Sequence, residues 1–319
     1  MHIFVTGASG FVGSRLVQVS AARNDVRVTV AARGSRFTCA TAARVVRFDD
    51  LSTADFSAGL AGVDAVVHCA ARVHVMNELD ADPLQAFRHV NVEGTLNLAR
   101  QAAAAGVRRF VFISSIKVNG EGTEPGVPFT ADRPANPADP YGVSKMEAEQ
   151  GLRELAVATG MEVVIIRPVL VYGPGVKANF LSMMRWLHKG VPLPFGAIHN
   201  ARSLVALDNL VDLALLCTSH PAAANQTFMV SDGEDLSTTV LLRKMASALG
   251  KPARLLPVPA VLLSAAARLL GKRSLSQRLC GSLQVDIAKT CAVLDWTPPL
   301  SVDQALKVTA SDYMENEKT

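Results

Sequence analysis

The first 170 residues alternate short apolar runs with longer segments of helical periodicity. The apolar runs are HIFVT, VRVTVAA, RVVRF, DAVVHCA, RRFVFISS and EVVIIRP, and helical patterns begin at about Phe11 and extend from about Pro83 to Ala105. Apolar strands separated by helices form a parallel sheet that is covered on both faces. The sequence therefore predicts an α/β protein with a Rossmann-type, doubly wound parallel sheet.

The second half of the chain has a different organisation. After Pro168 the alternation loosens, and Gly and Pro gather in YGPG (172–175) and GVPLPFG (190–196). Helices are predicted near 208–219, 237–249 and 257–270. We interpret residues 1–170 as a dinucleotide-binding domain and 171–319 as a smaller substrate-binding cap, with some of its strands and helices returning to the sheet.

Composition excludes several classes of protein. Lys and Arg number 32 against 28 Asp and Glu, a net charge of +4, and the basic residues are scattered, which disfavours nucleic-acid binding. Five cysteines without metal-like spacing indicate reduced thiols and predict no metal site. The N-terminus lacks a signal-peptide pattern, and no apolar run reaches about 18 residues, so we expect a cytoplasmic protein without membrane insertion.

The most apolar late stretch is PAVLLSAAARLLG at 259–271, which is interrupted by Ser264 and Arg268. An apolar helix of this kind either packs on the core or contacts a membrane surface. We interpret it as an amphipathic surface helix packed on the core.

A glycine-rich loop follows the first predicted strand. TGASGFVG places Gly7, Gly10 and Gly13 between that strand and a helix. Glycines allow the backbone to approach a pyrophosphate, and the helix N-terminus offers free N–H groups. The spacing is GxxGxxG, and the alternative interpretation is that the glycines only close a tight turn.

The second predicted strand lacks the acidic residue that usually binds the adenosine ribose in NAD enzymes. The stretch VTVAARGSR has Ala31 and Ala32 at that point, followed by Arg33 and Arg36. Guanidinium groups bind a 2′-phosphate that a carboxylate would repel. We therefore predict NADP(H) as the favoured cofactor and NAD(H) as a possible one, the alternative being that both arginines are solvated loop charges.

PYGVSK at 140–145 places a tyrosine and a lysine on one helix face. Asp139 caps this predicted helix and Pro140 suits its first position, so Tyr141 and Lys145 lie four residues apart. A nearby ammonium group is expected to lower the pKa of the phenol. FISS ends a strand with Ser115, which is expected to face the same crevice.

These motifs, taken in order, resemble a known family. TGASGFVG, VVHCAA, NVEGTLNL, FISS, PYGVSK, VYGPG and RSLVALDNLVD recur in extended short-chain dehydrogenases/reductases of the nucleotide-sugar epimerase, dehydratase and reductase group, which includes UDP-glucose 4-epimerase-like enzymes. The similarity extends from residue 2 to about 315. It is specific for the superfamily and not for one reaction.

The resemblance implies a set of site residues. The implied catalytic residues are Ser115, Tyr141 and Lys145. The implied cofactor contacts are Gly7, Gly10, Phe11, Val12, Gly13, Arg33, Arg36, Asp50, Leu51, Ala70, Ala71, Asn91, Tyr141, Lys145 and Pro168. The implied sugar-nucleotide contacts are Ser115, Asn179, Phe195, Arg202 and Arg278. Alternative interpretations are a salt bridge from Arg202 to Asp208 or Asp212, and core packing for Phe195.

The resemblance also bears on the reaction. Similar dehydratases follow the catalytic hydroxyl with an Asp-Glu pair, whereas Ile116 and Lys117 follow Ser115 here, so dehydration is disfavoured. Asn119 and Leu170 depart from the epimerase pattern, and an apolar Leu170 suits a sugar with fewer hydroxyls.

The leading hypothesis is an NADPH-dependent 4-ketoreductase of a UDP-4-keto-6-deoxy-N-acetylhexosamine in surface-polysaccharide precursor synthesis. The runner-up is an NAD-dependent UDP-glucose or UDP-N-acetylglucosamine 4-epimerase. A non-catalytic NADP(H) sensor is a third hypothesis, and a reductase of small carbonyl compounds is a fourth. The resemblance further implies a homodimer formed through helices at about 83–105 and 141–159.

Overall fold

The computed structural model describes residues 1–34, 37–39, 41–42, 44–73, 82–269, 277 and 279–317. Ten strands are formed: β1 His2–Thr6, β2 Arg27–Arg33, β3 Arg44–Phe48, β4 Ala65–His68, β5 Arg109–Ile113, β6 Glu162–Pro168, β7 Leu170–Tyr172, β8 Arg202–Ala206, β9 Thr227–Val230 and β10 Asp235–Leu236. The helices are α1 Phe11–Ala21, α2 Ser57–Leu60, α3 Pro83–Arg88, α4 Thr95–Ala104, α5 Pro140–Thr159, α6 Ala178–His188, α7 Leu207–Cys217, α8 Thr238–Ala248, α9 Ala260–Leu269, α10 Ala288–Leu294 and α11 Val302–Asn316. A π-helix, His89–Gly94, joins α3 to α4, and 3₁₀ turns lie at Ile116–Val118 and Pro221–Ala223.

Seven strands form one sheet in the order β3-β2-β1-β4-β5-β6-β9, and every neighbouring pair is parallel. The strand order reverses between β1 and β4, where the carboxyl ends of the strands open a crevice for ligands. This confirms the predicted doubly wound α/β class.

Both faces of the sheet are buried, which explains the continuous apolar strands. In β1, Ile3 and Val5 belong to one core cluster and Phe4 to the cluster on the opposite face. Helices α1 and α7 pack against each other on one side, and α4 and α5 do so on the other. Alternate residues of one strand therefore stabilise two helical layers.

The later residues build a second, smaller sheet. It contains β10, β8 and β7, and α6, α8 and α11 contribute to the core cluster beside it. Strand β9 returns to the edge of the large sheet, beside β6. The proposed domain boundary at residue 170 stays a prediction.

Helix α9 lies where a helix was predicted, but none of its residues is buried. Ala260, Leu263, Ser264 and Ala267 are half-buried along one stripe, and the remaining residues from 261 to 269 are exposed. The expected surface helix thus packs on the protein through one stripe, although its exposed side is apolar as well. Within the described ranges, no helix combines the length and hydropathy needed to cross a bilayer.

Candidate active site

The glycine loop joins β1 to α1 through close backbone contacts. Gly7 has a φ of 71°, and a Cβ placed on it would lie 2.7 Å from the backbone nitrogen of Ala70. A Cβ on Gly13 would lie 2.2 Å from the carbonyl oxygen of Gly7. The turn therefore requires glycine at both positions on steric grounds.

Gly10 has a different position in the loop. It is the exposed N-cap residue of α1, has extended backbone angles and offers no side-chain cap. The first N–H groups of α1 therefore remain directed towards the crevice, where they suit an anion. Together with the close approach of Gly7 to Ala70, this arrangement fits the diphosphate of a dinucleotide.

The other expected cofactor residues differ in accessibility. Phe11 and Val12 begin α1 and pack partly against the core, while Ala70 and Ala71 are half-buried beside the loop. The side chains of Leu51 and Pro168 are buried and serve packing. Leu51, for example, would meet a Cβ placed on Gly94 at 2.8 Å.

Asp50 follows β3 and is held by local hydrogen bonds. Its carboxylate accepts from the backbone nitrogen of Ser52 at 2.8 Å and pairs with His89 Nε2 at 2.8 Å. These bonds, the Ser52 backbone bond first, lower the pKa of Asp50. The side chain is fixed at the sheet edge while staying partly exposed.

The carboxyl ends of β2 and β3 carry two arginines, one of which the sequence analysis missed. Ala31 and Ala32 are buried, and Arg33 is exposed with no side-chain partner among the described residues. Arg47, opposite Ala32 in the register, donates to the carbonyls of Gly34 and Phe37 at 3.1 Å each. Arg36 lies outside the described residues.

Asn91 is buried in the π-helix and connects three segments. Its Oδ1 accepts from the backbone nitrogen of Arg72 at 2.8 Å, and its Nδ2 donates to the Arg72 carbonyl at 3.0 Å and to Ser144 Oγ at 2.9 Å. Irregular turns of this kind are frequent at functional sites. Asn91 thereby holds the loop after β4 against α5.

The start of α5 positions the tyrosine. Asp139 accepts from the backbone nitrogen of Gly142 at 2.7 Å and Pro140 occupies the first turn, which confirms the predicted cap. Tyr141 is hydrogen-bonded to Ser115. The two hydroxyl groups therefore lie together at the carboxyl end of β5.

The expected lowering of the pKa of Tyr141 was wrong for this structure. Burial raises the pKa of the phenol to about 12, the hydrogen bond with Ser115 opposes this rise and the Asp139 carboxylate adds to it. Lys145 Nζ instead donates to the Ile113 carbonyl at 2.8 Å. It also lies 3.9 Å from the centre of the Phe112 ring. The lysine thus contacts β5 and not the phenol.

Lys145 is itself strongly perturbed. Its side chain is buried, and burial lowers the pKa of the ammonium group to about 7, although the charges of Glu149 and Cys69 oppose this shift. A lysine buried in this way loses its proton more readily than an exposed one.

A buried ion pair lies one helical turn beyond Lys145, and the sequence analysis did not find it. Arg167 Nε and Nη2 donate to the two oxygens of Glu149 at 2.9 and 2.6 Å. Ser114 Oγ also donates to Glu149 at 2.6 Å, and Arg167 Nη1 donates to Asn119 Oδ1 at 3.0 Å. The network joins β5, α5 and β6 directly beneath Ser115 and Lys145.

The expected sugar-nucleotide residues lie around the smaller sheet. Asn179 is exposed in the first turn of α6, and Phe195 packs partly against the second core cluster while its carbonyl accepts from Thr239 Oγ1 at 2.6 Å. Core packing therefore explains part of the burial of Phe195. Arg278 lies outside the described residues.

Arg202 begins β8, and its Nη1 donates to the Gly281 carbonyl at 3.0 Å. The acidic residues proposed as alternative partners are engaged elsewhere. Asp208 pairs with Arg15 at 2.6 Å, and Asp212 accepts from Trp296 Nε1 at 2.8 Å.

Comparison with known proteins agrees with this geometry. The sequence model of the NAD dependent epimerase/dehydratase family matches residues 3–231. The chain belongs to this family. It is 49% identical to a UDP-glucose 4-epimerase of Vibrio cholerae, covering 98% of this chain and 95% of that protein. It is 27% identical to a GDP-6-deoxy-D-mannose reductase of Pseudomonas aeruginosa, covering 98% and 97%.

The fold is also that of solved family members. The structure of UDP-glucuronic acid 4-epimerase from Bacillus cereus in complex with NAD superimposes with a TM-score of 0.77 at 20% identity, covering 99% of each chain. The family match and the sequence relatives make the protein an NAD(P)-dependent nucleotide-sugar enzyme of the extended short-chain dehydrogenase/reductase type.

Proposed function

We propose that this enzyme is an NADPH-dependent reductase of a UDP-4-keto-6-deoxy-N-acetylhexosamine, acting in surface-polysaccharide precursor synthesis. The observation that carries the proposal is the end of β2, where Ala31 and Ala32 precede the exposed Arg33 and the strand carries no carboxylate at the position of the ribose ligand. An exchangeable NADPH suits a reductase, because a reductase consumes one cofactor molecule in each turnover.

The two arginines support binding of a 2′-phosphate. Arg33 has its guanidinium group available, and Arg47 holds the backbone at Gly34 and Phe37. Arg47 thus fixes the backbone at Gly34, directly after Arg33. A carboxylate at this place would repel the phosphate.

The catalytic residues are proposed to be Ser115, Tyr141 and Lys145. The nicotinamide of the bound cofactor would supply the hydride to C4 of the sugar. Tyr141, whose pKa of about 12 keeps it protonated at neutral pH, donates a proton to the C4 oxygen. Ser115 orients that oxygen through its hydrogen bond with the phenol, and Lys145, held by the Ile113 carbonyl, would bind the cofactor ribose through its amine.

The cleft residues support a deoxy sugar. Leu170 is 49% exposed at the start of β7 and offers no hydrogen bond to a sugar hydroxyl. Lys117 pairs with Glu121 and, at 2.9 Å, with Asp139, so these two carboxylates are engaged near Ser115. Leu170 thus suits a sugar with fewer hydroxyls. The engagement of both carboxylates agrees with reduction rather than elimination.

The test is an assay of purified protein with UDP-4-keto-6-deoxy-N-acetylglucosamine and either NADPH or NADH. We expect NADPH oxidation, at a kcat/KM at least about tenfold above that with NADH. Arg33→Ala should remove this preference, whereas Arg27→Ala, which changes the exposed arginine at the other end of β2, should not. Equal use of both cofactors by the unmodified protein would refute the cofactor proposal.

The second candidate is a UDP-glucose or UDP-N-acetylglucosamine 4-epimerase, and it is favoured by the 49% identity to the Vibrio cholerae protein. Incubation with UDP-N-acetylglucosamine and no added nucleotide separates the two. Formation of the galacto epimer by protein that retains NAD would replace the reductase proposal.

A homodimer through α3, α4 and α5 also remains a proposal. Light scattering in solution tests it directly. A monomer at all accessible concentrations would contradict it.

A further inference from the structure

We propose that the protein binds the surface of anionic lipid membranes through helix α9 and the residues beside it. The proposed contact, called the α9 surface, consists of Trp186, Val191, Leu256, Val261, Leu262, Arg268 and Leu269. The proposal concerns peripheral attachment and is independent of which sugar the enzyme reduces or epimerises.

The outward face of α9 is apolar. Val261, Leu262 and Leu269 are 78%, 61% and 89% exposed, and Arg268 is the charged residue among them. Surface helices normally direct polar residues outwards and apolar residues towards the core. In α9 the half-buried stripe and the outward face are both apolar, so folding of this chain leaves one apolar helix face in contact with water.

Backbone hydrogen bonds connect the segment before α9 to further exposed apolar residues. The Leu193 nitrogen donates to the Arg254 carbonyl at 2.9 Å, and the Leu256 nitrogen donates to the Leu193 carbonyl at 2.8 Å. The Val191 nitrogen donates in turn to the Trp186 carbonyl at 3.0 Å. Leu256, Val191 and Trp186 are all exposed, and these backbone bonds connect the segment before α9 to the end of α6.

The sequence segment that contains α9 is basic. Residues 250–285 contain no Asp or Glu, although the 28 acidic residues among 319 predict about three in 36 positions. The same segment contains six basic residues, Lys251, Arg254, Arg268, Lys272, Arg273 and Arg278. An apolar helix face with basic and no acidic residues is the composition that binds anionic membranes.

A lipid surface is favoured over other occupants. A symmetric contact with a second copy would bring this all-basic segment against itself, which is electrostatically unfavourable. The exposed side of α9 carries the large aliphatic side chains Val261, Leu262 and Leu269, which suit insertion among lipid headgroups. A tryptophan at the edge of such a surface matches the preference of this residue for the membrane interface.

The experiment is co-sedimentation of the full-length protein with vesicles. We expect binding to equimolar phosphatidylglycerol and phosphatidylcholine to exceed binding to pure phosphatidylcholine by about tenfold or more, and to weaken with added salt. The double variant Val261→Glu and Leu262→Glu should lose at least about tenfold of this binding, because it places two carboxylates on the apolar face. Both positions are exposed, so the fold and the solution activity should be unchanged.

A matched control changes two exposed valines elsewhere to glutamate, Val127 in the loop before Phe129 and Val308 on α11, and should bind like the unmodified protein. The proposal is overturned if the unmodified protein ignores anionic vesicles or if both double variants lose binding equally. Dissociation of an oligomer in the α9 variant alone would assign the surface to a second copy. Binding to soluble poly-glutamate but not to vesicles would assign it to an acidic protein.

Discussion

The buried pair of Glu149 and Arg167 gives the sharpest test of how this site is supported. We predict that Glu149→Gln destabilises the fold by about 3 kcal/mol, because it leaves a buried guanidinium group without its counter-charge. Glu149 is fully buried and Arg167 is 4% exposed, so solvent cannot replace the lost carboxylate. The remaining acceptors for Arg167 Nη1 are Asn119 Oδ1 at 3.0 Å and the Ala131 carbonyl at 3.4 Å.

This loss is large on the scale of protein stability. A domain is stable by about 5–15 kcal/mol, so the variant should unfold at clearly lower urea concentration. Burial raises the pKa of Glu149, but the hydrogen bonds from Arg167 and Ser114 outweigh it and the net pKa is lowered. The contribution of the pair should therefore be present above the ordinary Glu pKa of 4.5 and be lost as pH falls below it.

The assay is urea unfolding at pH 7 of the unmodified protein, Glu149→Gln, Arg167→Met and the double variant. Removing both charges should cost less than the sum of the single changes by about 2 kcal/mol. The matched control is Glu147→Gln, on the same helix, where the partly exposed pair with Arg88 should contribute below about 1 kcal/mol. A Glu149→Gln variant within about 0.5 kcal/mol of the unmodified protein would refute the reasoning.

Three further predictions concern the site itself. Tyr141→Phe should lower kcat by about a hundredfold or more while dinucleotide affinity, measured by fluorescence titration, changes little; unchanged turnover would remove Tyr141 from the catalytic set. The stability of the unmodified protein should rise with pH, because the pKa of Lys145 is 10.5 in the unfolded chain and about 7 in the folded chain. Lys145→Met should abolish this rise. The unmodified protein should gain about 1.4 kcal/mol per pH unit relative to the variant in that window, and parallel curves would contradict it. Asn91→Leu should weaken dinucleotide binding because the loop at Arg72 loses its hydrogen bonds; unchanged affinity would limit Asn91 to a structural role.

The fold was predictable because its sequence pattern is local. Six of the seven strands of the large sheet lie, to within one residue, in the apolar runs of the first 170 residues, whereas none of those runs predicted β9. Burial of both faces leaves these strands little choice of partner. The N-terminal cap of α5 was equally predictable from the sequence, since Asp139 directly precedes the helix and Pro140 is its first residue. The exposure of α9 could not be predicted, because periodicity indicates a helix but does not show which of its sides packs against another element.

The support of the site depends on contacts that the sequence pattern does not display. Glu149 lies four residues after Lys145, and its partner Arg167 is on β6, so only the folded sheet brings them together. Arg47 becomes a neighbour of Arg33 through the parallel register of β2 and β3. In the sequence, the only indication of this ion pair is the position of Glu149 on the inner face of α5. Its partner Arg167 lies on a separate strand and cannot be identified from the helix alone.

The corrected pKa of Tyr141 changes how the two candidate reactions relate to the site. Reduction begins with a proton donor, and a phenol with a pKa of about 12 is a donor at neutral pH. Epimerisation begins by removing a proton from a sugar hydroxyl, which requires the phenolate and hence a cation nearby. Lys145 contacts the Ile113 carbonyl and the Phe112 ring, and burial lowers the pKa of its ammonium group to about 7. The reduction that we propose uses the phenol in the protonated form that burial favours, whereas the proposed NADPH preference rests separately on the exposed arginine after β2.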